Sequence, residues 1–126
     1  MSWVSGEADS IMEVLDIWEQ VTKLVNMWKP KGVKLSMSTP GGNISLDKIV
    51  IDKDKRKQGL GKMVMKHIIA LADSNNKTIV LSPSTDFGAT SVVRLKKFYK
   101  QFGFVENKGK NKDFEISDSM YRLPKG

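Results

Sequence analysis

Ile49-Val50-Ile51-Asp52-Lys53-Asp54-Lys55-Arg56-Lys57-Gln58-Gly59-Leu60-Gly61-Lys62 is the run from which the rest of the chain is read. Its apolar start reads as the end of a buried strand. A charged turn follows, and two glycines flanking Leu60 open an amphipathic helix that continues to about Ser74. The first N–H groups of a helix have no partner inside it, and the macrodipole favours negative charge there. Glycine at 59 and 61 keeps side chains away from those amides. Arg56, Lys57 and Lys62 add positive charge at the same place, so the run reads as a pyrophosphate cradle. Its spacing fits neither the G-x-G-x-x-G dinucleotide turn nor the G-x-x-x-x-G-K-[ST] nucleotide loop.

Upstream, Val33 to Met37 alternates like a half-exposed strand and Thr39-Pro40-Gly41-Gly42-Asn43 is a turn. Ile44 to Asp52 returns as a second strand, expected antiparallel to the first. Earlier still, Asp9 or Ser10 can cap a helix. In it Ile11, Val14, Leu15, Trp18, Val21, Leu24, Val25 and Trp28 recur at helical spacing until Pro30 and Gly32 end it. That face packs a core; a second reading makes part of it a dimer or partner surface anchored on Trp18 and Trp28.

Downstream, the helix from Gly59 buries Leu60, Val64, Ile68 and Leu71, and Asn75-Asn76 closes it. His67 reads as a surface or half-buried residue of that helix. Thr78 to Leu81 is a strand, and Thr85 to Thr90 a polar loop. Thr90 or Ser91 caps a helix that buries Val92, Leu95, Phe98, Tyr99 and Phe102. Gly103 fits the left-handed position after its end. Phe104-Val105 starts a strand, Asn107 to Asn111 is a basic, glycine-containing loop whose residues 108–112 read as a solvated hairpin tip or as a binding patch, and Ser119 to Leu123 is the last strand. The order is that of an α/β fold around a mixed sheet.

A chain of 126 residues makes one domain with a modest core, here a helical segment 1–32 and a core 33–123. The absence of cysteine excludes disulfides, thiolate metal sites and a cysteine nucleophile, and one histidine excludes a histidine-rich centre. No metal is expected. No apolar run approaches the roughly 20 residues that span a bilayer, and the N-terminus lacks a basic segment followed by an apolar one. No membrane partner is expected, and the cytoplasm is the expected compartment. The net charge of +7 is uneven: residues 1–52 hold 5 Lys/Arg against 7 Asp/Glu, residues 53–126 hold 16 against 7. The basic half carries the cradle, and its field attracts polyanions, coenzyme A and nucleic acid among them.

Arg56, Gly59 and Gly61 resemble the R/Q-x-x-G-x-G/A signature of the GCN5-related N-acetyltransferases (GNATs). Phe98-Tyr99-Lys100-Gln101-Phe102-Gly103-Phe104 is similar to the F/L-Y-x-x-x-G-F run that the family carries further on. The resemblance covers about residues 33–123. It implies a GNAT fold, in which two central strands of a mixed sheet splay apart and acetyl-coenzyme A, the co-substrate, lies in the V between them. Its pantetheine arm would pair with the backbone of Ile49, Val50 and Ile51, where an N–H would polarise the thioester carbonyl. Its pyrophosphate would meet the amides of Lys57, Gln58, Gly59, Leu60, Gly61 and Lys62, with Arg56 at the edge.

The implied activity is acetyl transfer to an amine by direct attack in a ternary complex. Tyr99 matches the family's general acid; the other reading is a packing tyrosine. The family's usual glutamate falls on Ser45 here. Asp47, two residues on, either acts as base through a water or is a solvated strand residue; Glu115 and Asp118 are further options. Val92 stands near the family's usual asparagine, and the N-terminal part is reduced to one helix. Asn107 to Phe114 resembles the corresponding run of small acetyltransferases carried by phages and mobile elements. The acceptor stays open among a protein lysine, a protein N-terminus, a small amine and an aminoacyl-tRNA, with the charge favouring an acidic macromolecule. A homodimer stays open too. The competing class is a non-catalytic module that binds coenzyme A and acts through a protein or nucleic-acid partner.

Overall fold

The computed structural model describes residues 5–55, 59–83 and 91–125, with the backbone alone for 5–16 and 53. Helix α1 spans Ser5–Trp28, so it begins ahead of the caps expected at Asp9 or Ser10. A short 3-10 turn, Lys29–Lys31, follows, and Gly32 closes it at φ 86°. Strands β1 (Val33–Ser38) and β2 (Ile44–Ile51) come next. Helix α2 (Leu60–Ser74), β3 (Ile79–Leu81), α3 (Val92–Lys100), β4 (Val105–Glu106) and β5 (Met120–Arg122) complete the chain. Ser91 caps α3, its Oγ accepting from the Arg94 N–H at 3.0 Å.

The five strands form one sheet in the order β1-β2-β3-β5-β4. β1 and β2 are antiparallel, β2 and β3 parallel, and β5 is antiparallel to both neighbours. The mixed sheet flanked by helices is the one the sequence pattern predicts. Leu24 and Trp28 of α1, Val64, Met65, Ile68 and Ala72 of α2, and Tyr99 of α3 pack with Val33, Leu35, Ile44, Leu46, Ile79, Leu81 and Met120 of the sheet. Trp28 is fully buried and belongs to this core rather than to a partner surface, whereas Trp18 is 54% exposed. His67 is exposed, its ring 5.3 Å from that of Trp28. Val92 departs from expectation. It opens α3 and remains exposed, because the face that reaches the core begins a turn later, with Leu95 and Phe98 half-buried and Tyr99 buried.

A buried ion pair ties the elements together on the β5 side. Arg122 donates to Asp73, at the end of α2, through Nη1 at 2.7 Å and Nη2 at 3.3 Å. Its Nε donates to the Phe102 carbonyl at 2.7 Å, and the Lys125 N–H also donates to Asp73 Oδ1. Among the described residues, no helix is long and apolar enough to cross a membrane.

Candidate functional site

β2 and β3 share only two residue pairs, Ile44 with Ile79 and Ser45 with Val80. β3 ends at Leu81, and Pro83 just beyond has no N–H with which to extend a ladder. β2 runs on to Ile51 against β1, with Ile49, Val50 and Ile51 paired to Leu35, Lys34 and Val33. The two central strands therefore part at their C-terminal ends, as the splayed sheet requires.

A second irregularity sits at the point of parting. Ser36 pairs with Lys48 and Met37 with Leu46, so Asp47 is the extra residue of a β-bulge. A bulge bends its strand, raises the twist and re-aims a side chain. Here Ser45 and Leu46 are buried and Asp47 is exposed. Its carboxylate is held on both sides: Ser45 Oγ donates to Oδ1 at 2.7 Å and Ser38 Oγ to Oδ2 at 3.1 Å. Neither Ser38 nor the bulge is marked in the sequence, since no glycine or proline signals them.

The two glycines of the turn do different work. Gly59 is left-handed, φ 74° and ψ 13°, and a Cβ there would meet nothing within 4 Å among the described residues. The Met63 N–H, bonded to the Gly59 carbonyl at 3.2 Å, is an early rung of the α2 ladder, so the amides of Leu60, Gly61 and Lys62 precede it. A Cβ at Gly61 would instead lie 3.4 Å from Phe98 Cζ and 3.8 Å from Ile51 Cδ1. Gly61 is thus where α2, the end of β2 and α3 meet. The two positions should respond oppositely to alanine. Gly59→Ala is expected to cost about 1 kcal/mol from left-handed strain. Gly61→Ala makes only ordinary contacts and gains helix propensity; chemical denaturation of both variants checks the contrast. Lys62 is exposed. Arg56, Lys57 and Gln58 lie outside the described residues.

Tyr99 is 5% exposed, its ring edge-on to Phe98 at 5.4 Å and to Phe104 at 5.7 Å. Burial pushes its hydroxyl pKa above the usual value near 10, so it holds its proton at neutral pH. Of the other carboxylates considered as bases, Glu115 is exposed, and Asp118 accepts from Ser82 Oγ at 3.3 Å, just past the end of β3. Among the described residues no group of three His, Asp or Glu could hold a metal ion.

A family model described as an acetyltransferase (GNAT) domain matches residues 22–106, more than half of the chain. No curated protein sequence matches. Among solved structures, the fold is similar to that of Ard1 from Thermoplasma volcanium, at 20% identity and TM-score 0.53, over 84% of this chain and 78% of that one. Looser likenesses are Naa20 from Chaetomium thermophilum (13% identity, TM-score 0.48) and Naa50 from Arabidopsis thaliana (18%, 0.46). They cover 73% and 71% of this chain but only 58% and 59% of theirs. The family match, together with the parted strands and the glycine-opened helix beside them, shows that this chain belongs to the GNAT acetyltransferases, whose co-substrate is acetyl-coenzyme A.

Proposed function

We propose that the chain transfers the acetyl group of acetyl-coenzyme A to a primary amine by direct attack within a ternary complex. The observation that carries this reading is the parting of β2 from β3 at the Asp47 bulge, on the strand that leads to the Gly59-opened helix. The residues fit the group. Gly59 leaves open space beside the α2 amides, and Leu60, Gly61 and Lys62 would take the diphosphate, with Arg56, Lys57 and Gln58 completing the turn. Ile49 to Ile51 would hold the pantetheine arm along β2. The co-substrate supplies an activated thioester carbonyl, which leaves positioning and proton movement to the protein.

Tyr99 Oη would give the leaving sulfur its proton, its raised pKa keeping it in the donor form. Asp47 would take the amine's proton through a water, with Ser38 and Ser45 fixing the carboxylate. Asp47→Asn is expected to lower kcat by about tenfold to a hundredfold, with Ser38→Ala showing a smaller loss of the same kind. If Asp47→Asn keeps full kcat, solvent takes the proton instead.

The test of the whole reading is labelled acetyl-coenzyme A given to the protein in whole-cell lysate, with thiol release and the labelled species followed together. Absence of any coenzyme A or acetyl-coenzyme A binding by titration calorimetry overturns it. The second reading, a non-catalytic module, is favoured by the buried Ser45 that stands where the family's glutamate would. Binding of the thioester without turnover identifies it.

A further inference from the structure

Lysines gather around one carboxylate at the β4 edge of the sheet. Glu106 lies 2.9 Å from Lys96 Nζ, 3.1 Å from Lys100 Nζ and 3.6 Å from Lys108 Nζ. Hydrogen bonds from Lys96 and then Lys100 lead in holding its pKa down to about 2. A single carboxylate cannot neutralise three ammonium groups, and these side chains remain 34%, 49% and 75% exposed. Beside them is a shallow cavity of about 390 Å³, lined by the apolar Phe104 and Val105 with Lys100, Glu106, Lys108 and Asn111.

The connection from β4 to β5 extends this surface. Lys110 and Lys112 are exposed, and Phe114 is 89% exposed with Lys112 Nζ 5.7 Å from its ring centre. The basic segment, which the sequence leaves open between a solvated hairpin tip and a binding patch, is pinned. Buried Asn107 donates to the carbonyls of Ile116 at 2.9 Å and Asp118 at 3.0 Å and accepts from the Asp113 N–H at 2.7 Å. Tyr121 Oη donates to the Asn111 carbonyl. The carboxylates of Asp113 and Asp118 accept from the Glu115 N–H and Ser82 Oγ, neutral donors that leave both charged, and Glu115 beside Phe114 is exposed. An ordered loop that holds a phenyl ring in water forgoes about 2 kcal/mol of burial. Five lysines against Glu106, Asp113, Glu115 and Asp118, with an exposed ring that one of those lysines overhangs, suit a flexible polyanion that carries planar rings. An acidic polypeptide would use the lysines and leave the ring idle.

We propose that Lys96, Lys100, Lys108, Lys110, Lys112 and Phe114 form a binding surface for single-stranded nucleic acid, with phosphates on the lysines and a base on Phe114. The lysines around Glu106 lie at the β4 edge, which β5 separates from β3; only the last residues of the connection reach the end of β3, where Ser82 bonds both Asp118 and the Ser119 N–H. The proposal goes beyond acetyl transfer and does not depend on it.

Fluorescence anisotropy of a labelled short oligouridylate, titrated with the full chain between about 50 and 200 mM salt, tests it. Affinity is expected to fall with a log–log slope of about −2 or steeper, at roughly −0.7 per phosphate engaged. Phe114→Ala is expected to weaken binding at least about fivefold. A Lys108→Gln/Lys110→Gln pair should weaken binding and flatten the slope. Coenzyme A calorimetry on the same variants should be unchanged, which shows the fold intact and keeps this result separate from the thioester site. No binding at the low salt overturns the proposal. So does displacement by polyglutamate as readily as by RNA with Phe114→Ala silent, which would mark an acidic-protein surface.

Discussion

Tyr99→Phe is expected to reduce kcat for acetyl transfer about a hundredfold or more, with the KM for acetyl-coenzyme A little changed. The substitution keeps the ring, so the edge-on contacts with Phe98 and Phe104 persist. Only the hydroxyl is lost, and with it the proton that the proposed leaving thiolate needs. Since burial already holds that hydroxyl's pKa above its usual value, the wild-type rate should not fall off from loss of this acid until the pH exceeds about 10. Steady-state thiol release across pH, with the melting temperature as a check on folding, reads both points. Equal rates in parent and variant would remove Tyr99 from the chemistry, and equal rates at background level would identify a non-catalytic module.

The largest stability effect is expected at Asp73. Asp73→Ala leaves Arg122, whose side chain is 6% exposed, without its carboxylate. Breaking a buried pair from one side costs about 3–5 kcal/mol. The lower figure applies because Asp73 keeps 24% of its side-chain surface in water, which lowers Tm by roughly 10 °C for a chain of this size. The double variant Asp73→Asn/Arg122→Met should recover much of that loss. The hydrogen bond from Arg122 draws the Asp73 pKa below 3.8. A depressed carboxylate stabilises the fold fully above its unfolded pKa, and that contribution disappears as the pH drops through the folded value. Melting curves below about pH 4 should therefore show a steeper loss in the parent than in the double variant. A parent and a single variant that melt together at pH 7 would sink the account.

Elements with a regular period or a strong terminator were legible in the chain. The apolar alternation of Val33 to Met37 and the 3.6-residue period from Leu60 to Ser74 each give one answer, and the structure follows both. Ser91 is a cap with an evident acceptor. The phosphate turn was readable as a pattern, but the division of labour between Gly59 and Gly61 was not: it depends on Phe98, which is distant in sequence and arrives only with packing. The bulge at Asp47 was hidden for a related reason. It arises from the pairing of two strands, and neither strand's residues show an insertion when taken alone. Arg122 and Asn107 escaped notice because a polar residue in a strand or turn usually faces solvent. Their burial becomes meaningful only once Asp73 and the carbonyls of Ile116 and Asp118 are beside them.

The junction between β2 and β3 has a thermodynamic corollary. Among the described residues, two residue pairs make up the ladder between the β1–β2 ribbon and the three strands beyond it, so backbone amides along this seam should exchange with deuterium through openings smaller than global unfolding. A small molecule lying across the seam would add rungs that the sheet itself lacks. Its free energy of association would then reappear as cooperativity of unfolding, with slower exchange at Ile79 and Val80 and a melting point that climbs with ligand concentration.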